Sequence, residues 1–206
     1  KESGEEKFSV IPEEQGDSLI EQTPLKSGLA YTVSDDEGNS TLTQVEVVIA
    51  EGNRKLDVSG TNKSKIKQNI KNVYKYLRAN EKKLLPSNRS MDNYDVSVQL
   101  KPKIGGEIGD ELGSSIFVAI LTAVFKKQSR TALGILGDIS IGGGIQKVNK
   151  FSDKVAMLSE NGAKSILAPI GNTPEMANIP QSLLTKTDIL FYSDSQQLLQ
   201  KAVVED

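Results

Sequence analysis

From Ile116 to Phe125 the chain reads Ile-Phe-Val-Ala-Ile-Leu-Thr-Ala-Val-Phe, apolar at almost every position. A helix with one apolar stripe can lie on a surface, but one that is apolar all round has to be enclosed. The run is too short for a bilayer, which takes about 20 residues. It therefore predicts a buried central helix with the other elements packed around it. Leu112-Gly113-Ser114-Ser115 leads into the run, which puts Ser114 or Ser115 at the helix N-terminus.

The length of 206 residues suits one sizeable domain, and an apolar fraction of 37% is enough to give it a core. A net charge of −2 is too small to predict a polyanionic partner. Cysteine is absent, so there is neither a disulfide framework nor thiol chemistry, which fits the cytoplasm. No signal peptide is recognisable. The first residue is Lys1 rather than Met, and we read the chain as a piece of a longer protein.

Histidine is absent too. That removes Ser-His-Asp and Cys-His catalysis, whose base is missing. With no Cys either, it removes most zinc sites. No phosphate-binding P-loop signature is present, so ATP is not expected to bind within these residues. Carboxylate chemistry, a magnesium site, or Ser/Thr with Lys remains.

Residues 1–23 are charged and weakly periodic and read as a tail or linker, with the domain spanning 24–206. Leu29–Val33 predicts a strand, Ser34–Ser40 a turn, and Leu42–Ala50 its antiparallel partner. Lys55–Ser59 predicts a further short strand. Ser64–Leu85 predicts one long helix ending before Pro86, with Ile66, Ile70, Val73, Tyr74 and Leu77 on its inner stripe. Its other face carries Lys63, Lys67, Lys71, Lys75, Arg78 and Lys82, which reads as a solvated face or as a surface for nucleic acid or a neighbouring subunit. Strands follow at Tyr94–Leu100, Ala132–Leu136 and within Ile139–Val148, the last interrupted by a turn at Gly142–Gly144. A short helix is expected at Ser152–Asn161, closed by Gly162. Then come a strand at Ser165–Pro169, a loop around Pro174 and Pro180, a strand at Asp188–Tyr192 and a helix at Ser195–Val204. The expected class is α+β, a mixed α/β fold. Antiparallel strands come first, and a partly parallel β-α-β half follows.

Ser115 is the candidate nucleophile. A serine at the start of a buried helix lies beside unpaired backbone N–H groups, which can stabilise an oxyanion. Gly113 permits close backbone approach there. The plainer reading is a helix cap. A serine hydroxyl needs a base, and with no histidine the candidate is lysine. Such a lysine has to be neutral, which burial favours. Lys154, flanked by Phe151, Val155, Ala156 and Leu158, is the first choice, although taken alone it reads as a solvated helical lysine. Lys147 and Lys150 are rivals in the preceding loop. Asp110, Glu111 and Asp138 show no metal-ligand spacing and read as loop or capping residues.

The order of these segments resembles the proteolytic domain of Lon proteases. Gly28-Leu-Ala-Tyr-Thr32 is similar to the family's Gly-x-Ala-Trp/Tyr-Thr strand, and Lys55-Leu-Asp-Val-Ser-Gly60 to the stretch before its long helix. Leu112-Gly-Ser-Ser-Ile-Phe117 stands where the family has Asp-Gly-Pro-Ser-Ala-Gly, which places the family's nucleophile on Ser115. In that register Thr122-Ala123 also meets a family Thr-Ala. Gly137-Asp-Ile-Ser-Ile-Gly-Gly-Gly-Ile145 is similar to Gly-Glu-Ile-x-Leu-x-Gly, and counting on without a gap puts the family's lysine on Lys154. Asn161-Gly-Ala-Lys-Ser-Ile-Leu-Ala-Pro169 looks like the strand that follows. Leu136–Gly143 and Phe191-Tyr-Ser-Asp194 look most like the Lon-like proteins of BREX phage-defence systems.

The resemblance implies a Ser-Lys peptidase acting on unfolded polypeptide. It implies a homo-oligomer, a hexameric ring, and an AAA+ ATPase domain in the same full-length chain. ATP and magnesium would belong to that ATPase domain, and DNA would be reached through the full-length protein. Leu112, Ser114, Ile116, Phe117 and Leu136 depart from the family pattern. The alternative is therefore a Lon-like assembly domain with weak or no catalysis.

Overall fold

A two-residue turn sets the frame. The computed structural model describes residues 18–204 of the chain. In it β2 (Leu29–Asp36) and β3 (Asn39–Glu51) meet at Glu37 and Gly38, both with positive φ (45° and 92°). Such a turn matches the twist of a tight hairpin. The turn expected over Ser34–Ser40 is thus much shorter, and the strands run almost into it. Leu29 pairs with Glu46 and Asp36 with Asn39 in an unbroken antiparallel register.

Next come β4 (Leu56–Ser59) and α1 (Ser64–Ala79), with Ile66, Ile70, Val73, Tyr74, Tyr76 and Leu77 buried. The single helix expected to Leu85 breaks at Asn80, and α2 (Glu81–Leu84) starts anew. The Asn80 side chain donates to Tyr76 O at 3.0 Å. A short amide that bonds the preceding turn competes with continued helix. After β5 (Tyr94–Ile104) comes α3 (Gly113–Phe125), the apolar run itself. Every residue from Gly113 to Val124 is buried. α3 packs on β2, β3 and α1. It is the central helix that its composition demands.

The second half supplies β7 (Leu133–Ile135), α4 (Phe151–Glu160), β10 (Ser165–Pro169), β11 (Asp188–Tyr192) and α6 (Ser195–Ala202), with β10 and β11 where the sequence puts them. The main sheet runs β11-β10-β7-β2-β3-β5-β4. β11, β10, β7 and β2 are mutually parallel, as are β4 and β5, while β3 is antiparallel to both neighbours. The mixed class and the partly parallel second half follow as expected.

Several short features have no counterpart in the sequence pattern. β1 (Pro24–Leu25) pairs with β6 (Ser129–Thr131), and Ile170–Asn178 winds into a 3-10 helix, followed by α5 (Gln181–Leu184). The expected strands within Ile139–Val148 shrink to a small hairpin, β8 (Asp138–Ile139) with β9 (Ile145–Gln146). Most of the tail, residues 1–17, lies outside the described residues. Its end does not behave as a linker. Ile20 is buried, and its N–H donates to Asn161 O at 3.2 Å.

Candidate active site

α3 begins where four segments converge. Leu112 is its N-cap, so Ser114 and Ser115 lie inside its first turn and Ser115 is not a capping serine. Both are fully buried. Ser115 Oγ donates to Leu112 O at 2.8 Å. The Ser114 and Tyr192 hydroxyls lie 2.7 Å apart, and the Tyr192 oxygen is also 2.6 Å from Leu136 O. Ser114 is thereby held against β11, and burial pushes the Tyr192 phenol well above its ordinary range.

The first-turn N–H groups can be accounted for one by one. Gly113 N–H donates to Asp138 Oδ1 at 3.0 Å, Ser114 N–H to Gly137 O at 3.2 Å and Ile116 N–H to Leu112 O at 3.0 Å. Among the described residues, Ser115 N–H has no acceptor. It is the one donor of this turn left over.

Lys154 is fully buried, which overturns its reading as a solvated lysine. The signal was present in the sequence. The buried face of α4 is Phe151, Lys154, Val155 and Leu158, so Lys154 occupies the inner stripe. Its Nζ pairs with the Glu111 carboxylate, and Asp35 Oδ2 lies 3.7 Å away. No hydrogen bond joins Ser115 to Lys154 among the described residues, each being bonded elsewhere. The rivals lie outside this arrangement. Lys147 is exposed, and Lys150 Nζ donates to Gly38 O at 2.5 Å.

Of the carboxylates read as loop or capping residues, Asp138 does cap the start of α3, and the others form specific pairs. Glu111 and Asp35 face Lys154, and Asp110 pairs with Lys65 at 2.5 Å. Asp138 accepts from Gly113 N–H, from Ile139 N–H at 2.8 Å and, on Oδ2, from Asn69 Nδ2 at 2.8 Å. Asn69 and Tyr192 were missed, because only the fold brings α1 and β11 to the start of α3. Among the described residues no three potential ligands cluster to hold a metal.

Burial raises the Asp138 pKa above the usual carboxylate value, against the hydrogen bonds that lower it. The folded chain then keeps this proton to higher pH than the unfolded chain. Stability from this group is present at low pH and lost as pH rises through the raised value. Asp138→Asn should therefore raise Tm at pH 7 and leave it almost unchanged near about pH 3. Melting curves at both values test this, and equal shifts at the two would contradict it.

The basic face of α1 is partly neutralised by its own chain. Lys63 pairs with Asp36 at 2.7 Å and Glu107 at 3.2 Å, and Arg78 with Asp92 at 2.9 Å. Lys71 and Lys75 point to solvent. A groove of about 840 Å³ opens beside Lys63, lined also by Val58, Ser59, Lys67 and Gly106–Ile108. Its last wall continues directly into the segment that carries Glu111.

A buried serine on a central helix and a buried lysine from the following α4 are set in one motif order along the chain. The model of the Lon protease (S16) C-terminal proteolytic domain matches residues 3–205. The chain belongs to this Lon family. It is 28% identical over 204 residues to the Lon-like protease BrxL of Bacillus cereus (strain H3081.97), a match covering 98% of this chain and 30% of that protein. Against the Lon-like protease BrxL of Escherichia coli O9:H4 (strain HS) the identity is 26% over 202 residues, covering 97% and 29%. Against the Lon protease of Orientia tsutsugamushi (strain Ikeda) it is 24% over 182 residues, covering 88% and 22%. The chain thus spans less than a third of the length of these relatives. No described helix is long and apolar enough to cross a membrane.

Proposed function

We propose that this Lon proteolytic domain is a serine endopeptidase in which Ser115 is the nucleophile and Lys154 the general base. The observation that carries the reading is the first turn of α3. Ser115 sits there with an N–H uncommitted among the described residues; its Oγ is held by Leu112 O, and the neighbouring Glu111 pairs with buried Lys154. Lys154 leaves a proton on Glu111 as that pair separates, and its neutral Nζ then takes the Ser115 proton as Oγ attacks the peptide carbonyl. The Ser115 N–H receives the developing oxyanion. Lys154 then returns the proton to the leaving amine, and the acyl-serine ester remains. Water, deprotonated by Lys154, hydrolyses that ester and restores the serine.

Two bonds have to be exchanged first. Ser115 Oγ must leave Leu112 O, and Lys154 Nζ must leave Glu111. Ser114 is the weaker candidate, because its N–H is already committed to Gly137 O. The groove beside Lys63 gives an extended polypeptide a place to lie next to the Glu111 segment. The substrate is unfolded polypeptide. In the full-length protein an AAA+ ATPase, using ATP and magnesium, would deliver it through a hexameric ring.

The test is cleavage of casein or a fluorogenic peptide by the intact protein, with and without ATP. Ser115→Ala and Lys154→Ala should each lose activity by about 10³-fold or more. The second reading is an assembly domain with no peptidase activity in a DNA-acting defence machine. In its favour, the serine and the lysine are each bonded elsewhere. It predicts that both substitutions are silent in cleavage and in defence.

A further inference from the structure

The first turn of α3 is held from outside the helix, by residues 137–139. Gly137 O takes the Ser114 N–H at 3.2 Å, and Asp138 Oδ1 takes the Gly113 N–H at 3.0 Å. Asp138 is in turn fixed on both sides, by Ile139 N–H at 2.8 Å and by Asn69 Nδ2 at 2.8 Å. The approach is close. A Cβ on Gly113 would sit 1.9 Å from Asp138 Oδ1 and 2.8 Å from Ile139 N, so only glycine fits there.

Helix starts normally fray, since their first N–H groups lack partners. Here the two residues before Ser115 are clamped, and the next donor in line is the one left free. We infer that Asp138 is a positioning residue for peptide cleavage: with Asn69 behind it, its carboxylate locks the start of α3 and so fixes the direction of the Ser115 N–H that meets the scissile carbonyl. This rests on the Ser115 nucleophile proposed above. It assigns to β8 and α1 a part in the reaction that neither plays by touching substrate. The position is Glu in the Lon motif that this segment resembles. The shorter Asp reaches the helix here because β8 lies against Gly113 without an intervening Cβ.

A clamp of this kind acts on the transition state, because oxyanion donors gain most when they are aligned before the charge forms. Substrate binding along the groove is not affected by it. Asp138→Ala in the intact protein should therefore lower kcat for a fluorogenic peptide by about 10²-fold and leave KM within about threefold. Asp138→Asn keeps an acceptor for Gly113 N–H. It should recover most of the loss, to within about tenfold of the parent. Affinity for a peptide boronate, whose serine adduct is tetrahedral, should fall in parallel with kcat/KM.

If Asp138→Ala does not fold, Asn69→Ala reads the same device more mildly, with a kcat loss of about tenfold at unchanged KM. Unchanged kcat in Asp138→Ala, or in Asn69→Ala when that variant stands in, overturns the inference. So does an effect confined to KM, or an Asn variant as slow as the Ala variant. Ser115→Ala run alongside separates the two ideas. If it is inactive while Asp138→Ala is unimpaired, only the positioning role falls. If Ser115→Ala cleaves like the parent, the peptidase reading falls and takes this role with it.

Discussion

Lys154→Met is expected to abolish peptide cleavage, by about 10³-fold or more, without unfolding the domain. The two halves of this result have different causes. Cleavage needs a proton acceptor, and methionine is none. Stability depends on what the substitution leaves behind. The Lys154 side chain is fully buried, whereas Glu111 and Asp35 keep 21% and 15% of theirs exposed. Removing the lysine takes the most deeply buried charge away and fills its space with an unbranched apolar chain. The carboxylates that remain can turn to water, so the net change should stay within about 1–2 kcal/mol. The reverse substitution is not equivalent. Among the described residues, Glu111→Leu leaves the buried ammonium with Asp35, at 3.7 Å, as its remaining carboxylate. That should cost about 3–5 kcal/mol. Cleavage assays with melting curves on both variants separate the cases. Activity surviving in Lys154→Met would remove the lysine from the mechanism.

Gly109→Ala is expected to be the most damaging single methyl on the approach to the site. A Cβ at Gly109 would lie 1.9 Å from Asp35 O, 2.5 Å from its carbonyl carbon and 2.8 Å from its nitrogen, all backbone. No side-chain rotation relieves such a contact. The segment must lift off β2, breaking the 3.0 Å bond from Gly109 N–H to the buried Ser34 hydroxyl. Overpacking of this kind costs about 3 kcal/mol or more. In a domain of this size that lowers Tm by roughly 10 °C. Cleavage should fall as well, because Glu111 and the Leu112 cap ride on the same segment as it shifts away from Asp35. Gly106→Ala, whose Cβ would meet nothing nearer than Asn39 Cβ at 3.8 Å, should leave Tm almost unchanged. Equal melting of these two variants would contradict the assignment of close approach to Gly109.

Legibility in the sequence followed the range of the physics involved. Period and apolarity decide elements locally. β10 and β11 stand where alternation put them, and α3 is buried all round because no face of it is polar. Side-chain competition with the backbone is also local but finer. Asn80 cuts the long helix in two, and a two-residue turn suffices where composition predicts a seven-residue one. The burial of Lys154 was readable from its place between Phe151 and Val155 on the inner stripe of α4.

The sequence alone narrowed the chemistry, because the absence of His and Cys leaves carboxylates, a magnesium site or Ser/Thr with Lys, and the resemblance to Lon proteases points to the last of these. It also determined the central helix, since apolar surface on every side has only one stable location. Tertiary structure alone decided what surrounds the pair. Glu111 and Asp35 meet Lys154, Tyr192 meets Ser114, and Asn69 with Asp138 meets the start of α3, across separations in the chain that no local pattern spans. A hydrogen bond or ion pair between distant residues depends on where the sheet and helices have carried them, and their periodicity carries no record of it.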